Sequence, residues 1–396
     1  MLHLYLGIRS PLREDGPEYL GIAESLAHGD GYHETTGPWP DVPHTKRPPA
    51  WPVFLVPAMW ITPQPWHSAA VRVTALVPMA LTGVVFYFLC LHFGVNRRLA
   101  AFSGLFAACS LPMIALAYDG MSEGLAALFC SAGILFVLWG GRRFYAGAFF
   151  LSAAVMVRTN LILLPVFVAA ALLLSHSGRR TLWLHRKRVL MGSLIFFSLP
   201  TVWMIRNYAV THRAFLLSSG DGEVLYGGNN DVVANELEFW GYWIEPDSRL
   251  GEPPLHELAI SLSDVQLNDY YRGKGTAWIR SHIRELPRLW LGKLIRGFVP
   301  LPWRPLAASY IAFGYRALLD ILFFATMSRW RPRLDPQYAL ILGSLFVTTL
   351  LTTVLYWGVY RFVHCFVELF FIPLIAVGLE RDQPSPVELV AEEGLA

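Results

Sequence analysis

Apolar runs recur along the chain near 68–93, 99–118, 121–141, 143–157, 160–175, 188–206, 309–328, 338–357 and 362–379. Several approach the roughly 20 residues that a helix needs to cross a bilayer. The pattern predicts an all-α, polytopic transmembrane helical bundle. The runs at 143–157 and 160–175 are short for a span, which predicts tilt or a break at Arg158. Met1–Ile8 is apolar but too short to span. It reads as the end of a truncated first transmembrane helix.

Polar positions divide the turns into two kinds. Arg97, Arg98, Arg142, Arg143, Arg179, Arg180, Arg186, Lys187, Arg188, Arg329, Arg331, Arg333 and Arg381 fall in alternate turns. The opposite turns hold only Arg158 and Arg361. Cytoplasmic loops carry the excess of Lys and Arg. This asymmetry predicts an outer loop at 9–67, transmembrane helices over 68–206, a large outer loop at 207–308, further transmembrane helices over 309–379 and a cytoplasmic tail at 380–396. The tail's polar, acidic stretch Gln383–Ala396 is expected to be disordered.

Both outer-face loops are expected to contain short juxtamembrane helices. In the first, Pro17 suits a first helical turn, and Tyr19, Ile22, Ala23 and Leu26 share one face before Gly29 and Gly31. Asp15 marks that helix's start. A second segment, His44–Ile61, places Lys46 and Arg47 before two prolines and an apolar run carrying Trp51 and Trp60. It reads as a helix dipping into the interface, with the basic pair at headgroup level. In the large loop, Asp264–Ile283 reads as helical. Pro287–Phe298 reads as a basic amphipathic helix in the interface, bearing Arg288, Lys293 and Arg296.

Composition agrees with a bilayer as solvent: 54% of residues are hydrophobic and 15% charged, against about 25% charged in soluble domains. A net charge of +3 over the whole chain gives no nucleic-acid footprint. Cys90, Cys109, Cys130 and Cys365 lie in apolar runs without metal-ligand spacing and read as small core hydrophobes.

Two readings of the first loop follow from its chemistry. In one, Asp15 caps a helix while Lys46 and Arg47 meet lipid headgroups. In the other, Asp15 is a general base beside cations that hold a phosphate leaving group.

The order of motifs adds a resemblance. Asp15-x-x-x-Tyr19 with Ala23, Leu26 and Gly29 comes first, then Arg47-Pro48-Pro49 with Pro52, then Ser122-Glu123. Arg158 followed by Pro165 comes next, then Arg206-Asn207-Tyr208 with Gly228-Asn229-Asn230, and finally Tyr360-Arg361-Phe362. The chain resembles the GT-C class of membrane glycosyltransferases, in particular the branch of the protein O-mannosyltransferases and the lipid A aminoarabinose transferase. It departs from that pattern in lacking most of the first span, in placing Gly16 where many relatives have a second acidic residue, and in continuing the last motif as Val363-His364-Cys365.

The resemblance implies transfer of a sugar from a polyprenyl-phosphate-linked donor to an acceptor hydroxyl, with Asp15 as catalytic base. Tyr19, Lys46, Arg47, Glu123, Arg158, Arg206 and Arg361 would be substrate-binding. The acceptor would be a lipid, a polysaccharide or a protein. The setting would be a bacterial plasma membrane with the site facing outward. No cofactor is required by the pattern. A divalent metal is left open, with Glu14, Asp15, Glu18 and Glu123 as possible ligands of undiagnostic spacing. Each residue also has a simpler reading: Glu123 as a helix N-terminal acid, Arg158 and Arg361 as snorkelling cations, Arg206 as a loop anchor. The Gly227–Asn230 turn reads as structural. The alternatives in other classes are a multi-pass transporter or lipid flippase, which would show repeated halves and broken mid-membrane helices, and a non-catalytic scaffold for envelope assembly.

Overall fold

The computed structural model describes residues 10–35, 39, 42–300, 307–329 and 335–381. Among these it is helical, with no strand and one isolated bridge between His33 and Pro43. The expected first-helix remnant at 1–8 and nearly all of the tail lie outside the described residues.

Two short helices precede the bundle: α1 (Gly16–His28) and α2 (Ala50–Ile61). Gly29 ends α1 in the left-handed conformation at φ 87°, as its position in the sequence suggests. The bundle then begins with α3 (His67–His92), α4 (Arg97–Ala108) and α5 (Leu111–Tyr118). The run predicted as one helix over 99–118 is therefore broken at Cys109 and Ser110, just before Pro112 enters the first turn of α5. Gly83 and Gly104 let α3 and α4 touch. A Cβ on either would lie 2.5 Å from the other's carbonyl oxygen.

Next come α6 (Glu123–Trp139) and α7 (Arg143–Val155), separated by Gly140 and Gly141, both at positive φ. Both are shorter than a full span. Beyond the extended Arg158, a 3-10 turn leads into α8 (Leu164–Leu174), and the chain bends by 115° into α9 (His176–Leu184). The expected break at Arg158 is thus present. α10 (Arg186–Thr211) is long and lies at the bundle's edge.

The long loop has structure of its own. It contains α11 (Asp221–Gly227), α12 (Asp231–Asn235), α13 (Leu255–Ser261), α14 (Asp264–Ser281) and α15 (Leu286–Phe298). Two small apolar clusters hold it, one around Val233, Trp278 and Leu289, the other around Tyr226, Leu267 and Tyr271. The buried Glu252 carboxylate accepts from Tyr226, Tyr270 and Lys274.

α15 corrects the interfacial reading. Lys293 and Arg296 are buried, not at headgroup level. Arg296 donates to carbonyls of Glu238 and Trp240, and Lys293 to Asn229 Oδ1 at 2.9 Å and Val354 O at 3.1 Å. The buried face of the helix packs against the rest of the loop and against α17 (Pro336–Leu355) and α18 (Tyr360–Phe366) of the bundle.

The chain closes with α16 (Ala307–Arg329), α17 (Pro336–Leu355), α18 (Tyr360–Phe366) and α19 (Ile372–Arg381). A 3-10 turn over Glu368–Phe371 joins the last two. Six described segments are long and apolar enough to cross a membrane, or seven if the bent pair at 159–184 counts as one span. The protein is a multi-pass helical membrane protein. Three of the four cysteines are buried and Cys109 is exposed; all four are free.

One end of the bundle gathers the first loop, the α5–α6 turn, Arg158 and the start of α18. Ala50 N–H donates to Met156 O, and Trp51 Nε1 donates to Gly120 O at 3.0 Å. At the opposite end Asn96 donates to Glu380 beside the start of α4.

Candidate functional site

Asp15 occupies the N-cap position of α1, yet its side chain caps nothing. A tight turn, with Glu14 at φ 53° and Gly16 N–H donating to Arg13 O, turns it toward the second segment. Gly16 is required by contact. A Cβ there would lie 2.2 Å from the Asp119 carbonyl oxygen. This is the physical reason that no second acidic side chain follows Asp15.

The Arg47 guanidinium bridges two carboxylates. Its Nη2 donates to Asp15 Oδ1 at 2.8 Å and its Nε to Glu18 Oε2 at 2.6 Å. This fork geometry is what Arg offers and Lys does not. Its backbone is held too: Tyr32 O–H donates to the carbonyls of Arg47 and Pro48, and Arg47 N–H donates to His44 Nε2. Arg47 is therefore not a headgroup contact but a fixed part of the site. Lys46 pairs with Glu223 at 2.9 Å, on α11 of the long loop.

Two further arginines arrive from the bundle. Arg158 donates to Glu123, which begins α6 and is fully buried. Glu123 is thus both a first-turn acid and an ion-pair partner. Arg361, at the start of α18, lies with Nη1 3.5 Å from Asp15 Oδ2 and Nε 3.4 Å from Glu123 Oε1. Its guanidinium also packs on Trp357 and Phe362. Arg361 is buried and Arg158 half-buried, and both are ion-paired with carboxylates rather than reaching out as snorkelling cations. Three arginines thus face three carboxylates: Asp15, Glu18 and Glu123. Asp15 Oδ2, Glu123 Oε2, Arg158 Nε and Arg361 Nε keep unfilled hydrogen-bonding capacity.

Electrostatics follow from this arrangement. Burial pushes the Asp15 carboxyl up, but Arg47, Arg361 and Arg158 more than reverse it, so it lies below its ordinary range. Burial likewise opposes ionisation of Glu18, and Arg47 and Lys46 hold it well below. Burial disfavours charge on Lys46, and Glu223 and Glu18 restore it above its ordinary value.

A cleft of about 500 Å³ opens beside the arginines. Tyr19, Lys46, Arg47, Arg158 and Arg361 line it, as do Asp221 with Arg272 and the apolar Leu163, Leu216, Leu351 and Leu355. Tyr19 lies under the Arg47 guanidinium at 5.5 Å. On the other side of Glu18 is a smaller cavity of about 150 Å³, bordered by Glu34, His44, Glu223 and Asp264.

A metal ion fits this donor set poorly. Glu14 is exposed, and Asp15, Glu18 and Glu123 are engaged by arginines. Among the described residues, the group with metal-ligand spacing is Glu18, Glu34 and His44. His44 Nε2, however, already accepts Arg47 N–H, which leaves the ring proton on Nδ1, facing Glu34 Oε2 at 3.5 Å. Neither ring nitrogen has a free lone pair for a metal.

Asp15, Tyr19, Lys46, Arg47, Glu123, Arg158 and Arg361 therefore come together. Arg206 does not join them. It donates to His44 O and Asn207 Oδ1 and packs on Tyr32 and Trp203, which anchors the loop. Asn229 and Asn230 are structural as expected: Asn230 caps α12, and Asn229 ties it to Leu355 O.

Three charged residues inside predicted spans were not singled out from the sequence. Arg72 donates to Tyr118 O and to Ser10. Arg316 and Glu368 form a buried bidentate pair. A lone charge in an apolar run signals a buried partner. The partners' separation along the chain hides which residue it is.

No family model matches the sequence, and no curated protein matches it. Two solved structures are similar in chain course. One is the crystal structure of ArnT from Cupriavidus metallidurans bound to undecaprenyl phosphate, 14% identical, covering 96% of this chain and 75% of that one, with a TM-score of 0.44. The other is the same protein in the apo state, 13% identical, covering 96% and 76%, with a TM-score of 0.39. Both are distant likenesses, below the level at which a shared activity follows.

Proposed function

We propose that the protein is a membrane glycosyltransferase of the GT-C class that takes a sugar from a polyprenyl-phosphate donor to an acceptor hydroxyl, at the outer face of the membrane, with Asp15 as general base. One observation carries the reading: Arg47 and Arg361, which hold the ionised Asp15 carboxylate, line with Arg158 a cleft that also has an extensive apolar lining. That combination suits an amphiphile with a phosphate head and a hydrocarbon tail. The order of the sequence motifs supports the same class. The outer-face placement rests on the Lys and Arg bias of the opposite turns.

In the proposed single displacement, Asp15 accepts the proton of the acceptor hydroxyl. That oxygen bonds to the anomeric carbon as the bond to the phosphate oxygen breaks. The lipid phosphate leaves with the electron pair, and Arg47, Arg158 and Arg361 stabilise its charge. Such preorganised stabilisation is usually the largest catalytic contribution. Arg47 and Arg361 contact Asp15 in the free protein, so their transfer to the phosphate frees the carboxylate to act. The acceptor belongs to a lipid, a polysaccharide or a protein. Incubating the protein in lipid with polyprenyl-phosphate sugars and measuring sugar release or transfer tests the reading. Asp15→Asn should abolish turnover without loss of fold.

A transporter would use charges within the spans, and Arg316 with Glu368 is the pair that raises this reading. Both side chains are sealed in protein, and neither borders the large cleft. That argues for a structural pair rather than a conduit.

A further inference from the structure

α18 has seven residues and carries Arg361 at its second position. A helix this short has little intrinsic stability. The extended Val359 precedes it, and the irregular Val367 (φ −128°, ψ −64°) ends it. Its placement depends on what its side chains grip.

Arg361 itself is a weak anchor. Its contacts to Asp15 and Glu123, at 3.5 and 3.4 Å, are ion contacts rather than aligned hydrogen bonds, and its Nε has no hydrogen-bond partner. The stronger grip lies one turn further on. His364 Nε2 is 2.7 Å from Ser110 Oγ, at the break between α4 and α5. His364 Nδ1 is 2.8 Å from Glu368 Oε2. Glu368 receives Arg316 Nε at 2.8 and 3.0 Å, together with Arg316 Nη2. Arg316 Nη2 also donates to Gly297 O, at the end of α15. Ser110, Arg316, His364 and Glu368 are all essentially inaccessible. With Glu368 ionised against Arg316, the chain has one consistent polarity: Ser110 donates to His364, and His364 donates to Glu368.

We propose that the buried chain Ser110–His364–Glu368–Arg316 is the positioning device that sets Arg361 against Asp15. None of its members touches the cleft. They act through α18, by tying it at once to the α4–α5 break, to α16 and to the end of α15. Cys365, next to His364, completes the link, with Sγ 3.3 Å from Met113 Sδ and 3.7 Å from Glu123 O. A buried pair of this kind adds little net stability, because desolvation offsets its attraction. What it provides is one arrangement of four elements. A slack α18 would withdraw Arg361 from Asp15, leaving Arg47 and Arg158 to oppose burial and Glu18.

The test reads Asp15 directly and does not depend on turnover. Carbodiimide coupling to an added amine modifies protonated carboxyls, and mass spectrometry of the full chain in lipid nanodiscs follows Asp15 as pH is varied. Glu368→Gln should move the midpoint of Asp15 coupling upward by on the order of one pH unit. Should that variant not fold, Arg316→Met with Glu368→Met removes both charges and keeps apolar packing; the same upward shift is expected. An unmoved midpoint in either folded variant overturns the proposal. A shifted midpoint in a protein that shows no sugar transfer leaves this inference standing and removes the proposed function. An unmoved midpoint in an active transferase does the reverse.

Discussion

Arg47 donates from Nη2 to Asp15 at 2.8 Å and from Nε to Glu18 at 2.6 Å. One planar cation thus fixes the proposed base and borders the cleft that would receive the phosphate. Arg47→Lys keeps the charge but cannot span both carboxylates. Transfer should fall by about tenfold or more, mainly in kcat, with the fold retained. Steady-state kinetics with a polyprenyl-phosphate sugar measures it.

Asp15 gives a signed pH dependence. Its folded-state value is lowered, so its contribution to stability is present above the unfolded value near 3.8 and is lost as pH falls through the lower folded value. The acid limb of kcat/KM, which reports the free protein, should lie below that ordinary value. Arg47→Met, by removing the largest opposing charge, should move that limb upward. A pH–rate profile of the two proteins checks both directions.

Gly16→Ala places a methyl 2.2 Å from Asp119 O, a backbone atom that cannot swing aside. Destabilisation of about 1–3 kcal/mol is expected from such overpacking. Because the displaced turn carries Asp15, activity should fall further than stability alone accounts for. Thermal unfolding and turnover measured on the same preparation separate the two.

Much of the bundle is legible in the apolar pattern. The runs at 68–93, 188–206 and 338–357 correspond to α3, α10 and α17, within a few residues at most ends. Summed hydropathy does not register a break that keeps the run apolar. The interruptions at Ser110 and Val367 therefore stay hidden, though both place side chains that matter. Within the site, Asp15 and Arg47 are legible as residues through their motifs. Their pairing across 32 positions is not, and neither is Arg316 with Glu368 across 52. Arg206 carries two readings in the sequence, substrate contact and loop anchor. A motif marks it as a binding residue, while its hydrogen bonds to His44 and Asn207 tie down the first loop. The interfacial reading of α15 fails because amphipathicity shows that one face is polar, not whether protein or lipid headgroups meet it.

Lys293 offers a test of the long loop's packing. Burial lowers its amine to about 7, and it has three acceptors but no carboxylate. The unfolded chain therefore binds more protons than the folded one between about pH 7 and the free-lysine value near 10.4. Stability relative to Lys293→Met should rise with pH across that window. Chemical denaturation of both proteins at three pH values measures the slope.

The central claim is that Asp15 works as the base of a sugar transfer from a lipid phosphate. The most direct measurement is turnover of polyprenyl-phosphate sugars by the full chain in lipid, wild type beside Asp15→Asn. The account predicts release or transfer of sugar by the wild type and its loss in a variant that still folds and still binds the lipid phosphate. Equal turnover in the variant, or none by a folded wild type with any such donor, contradicts it.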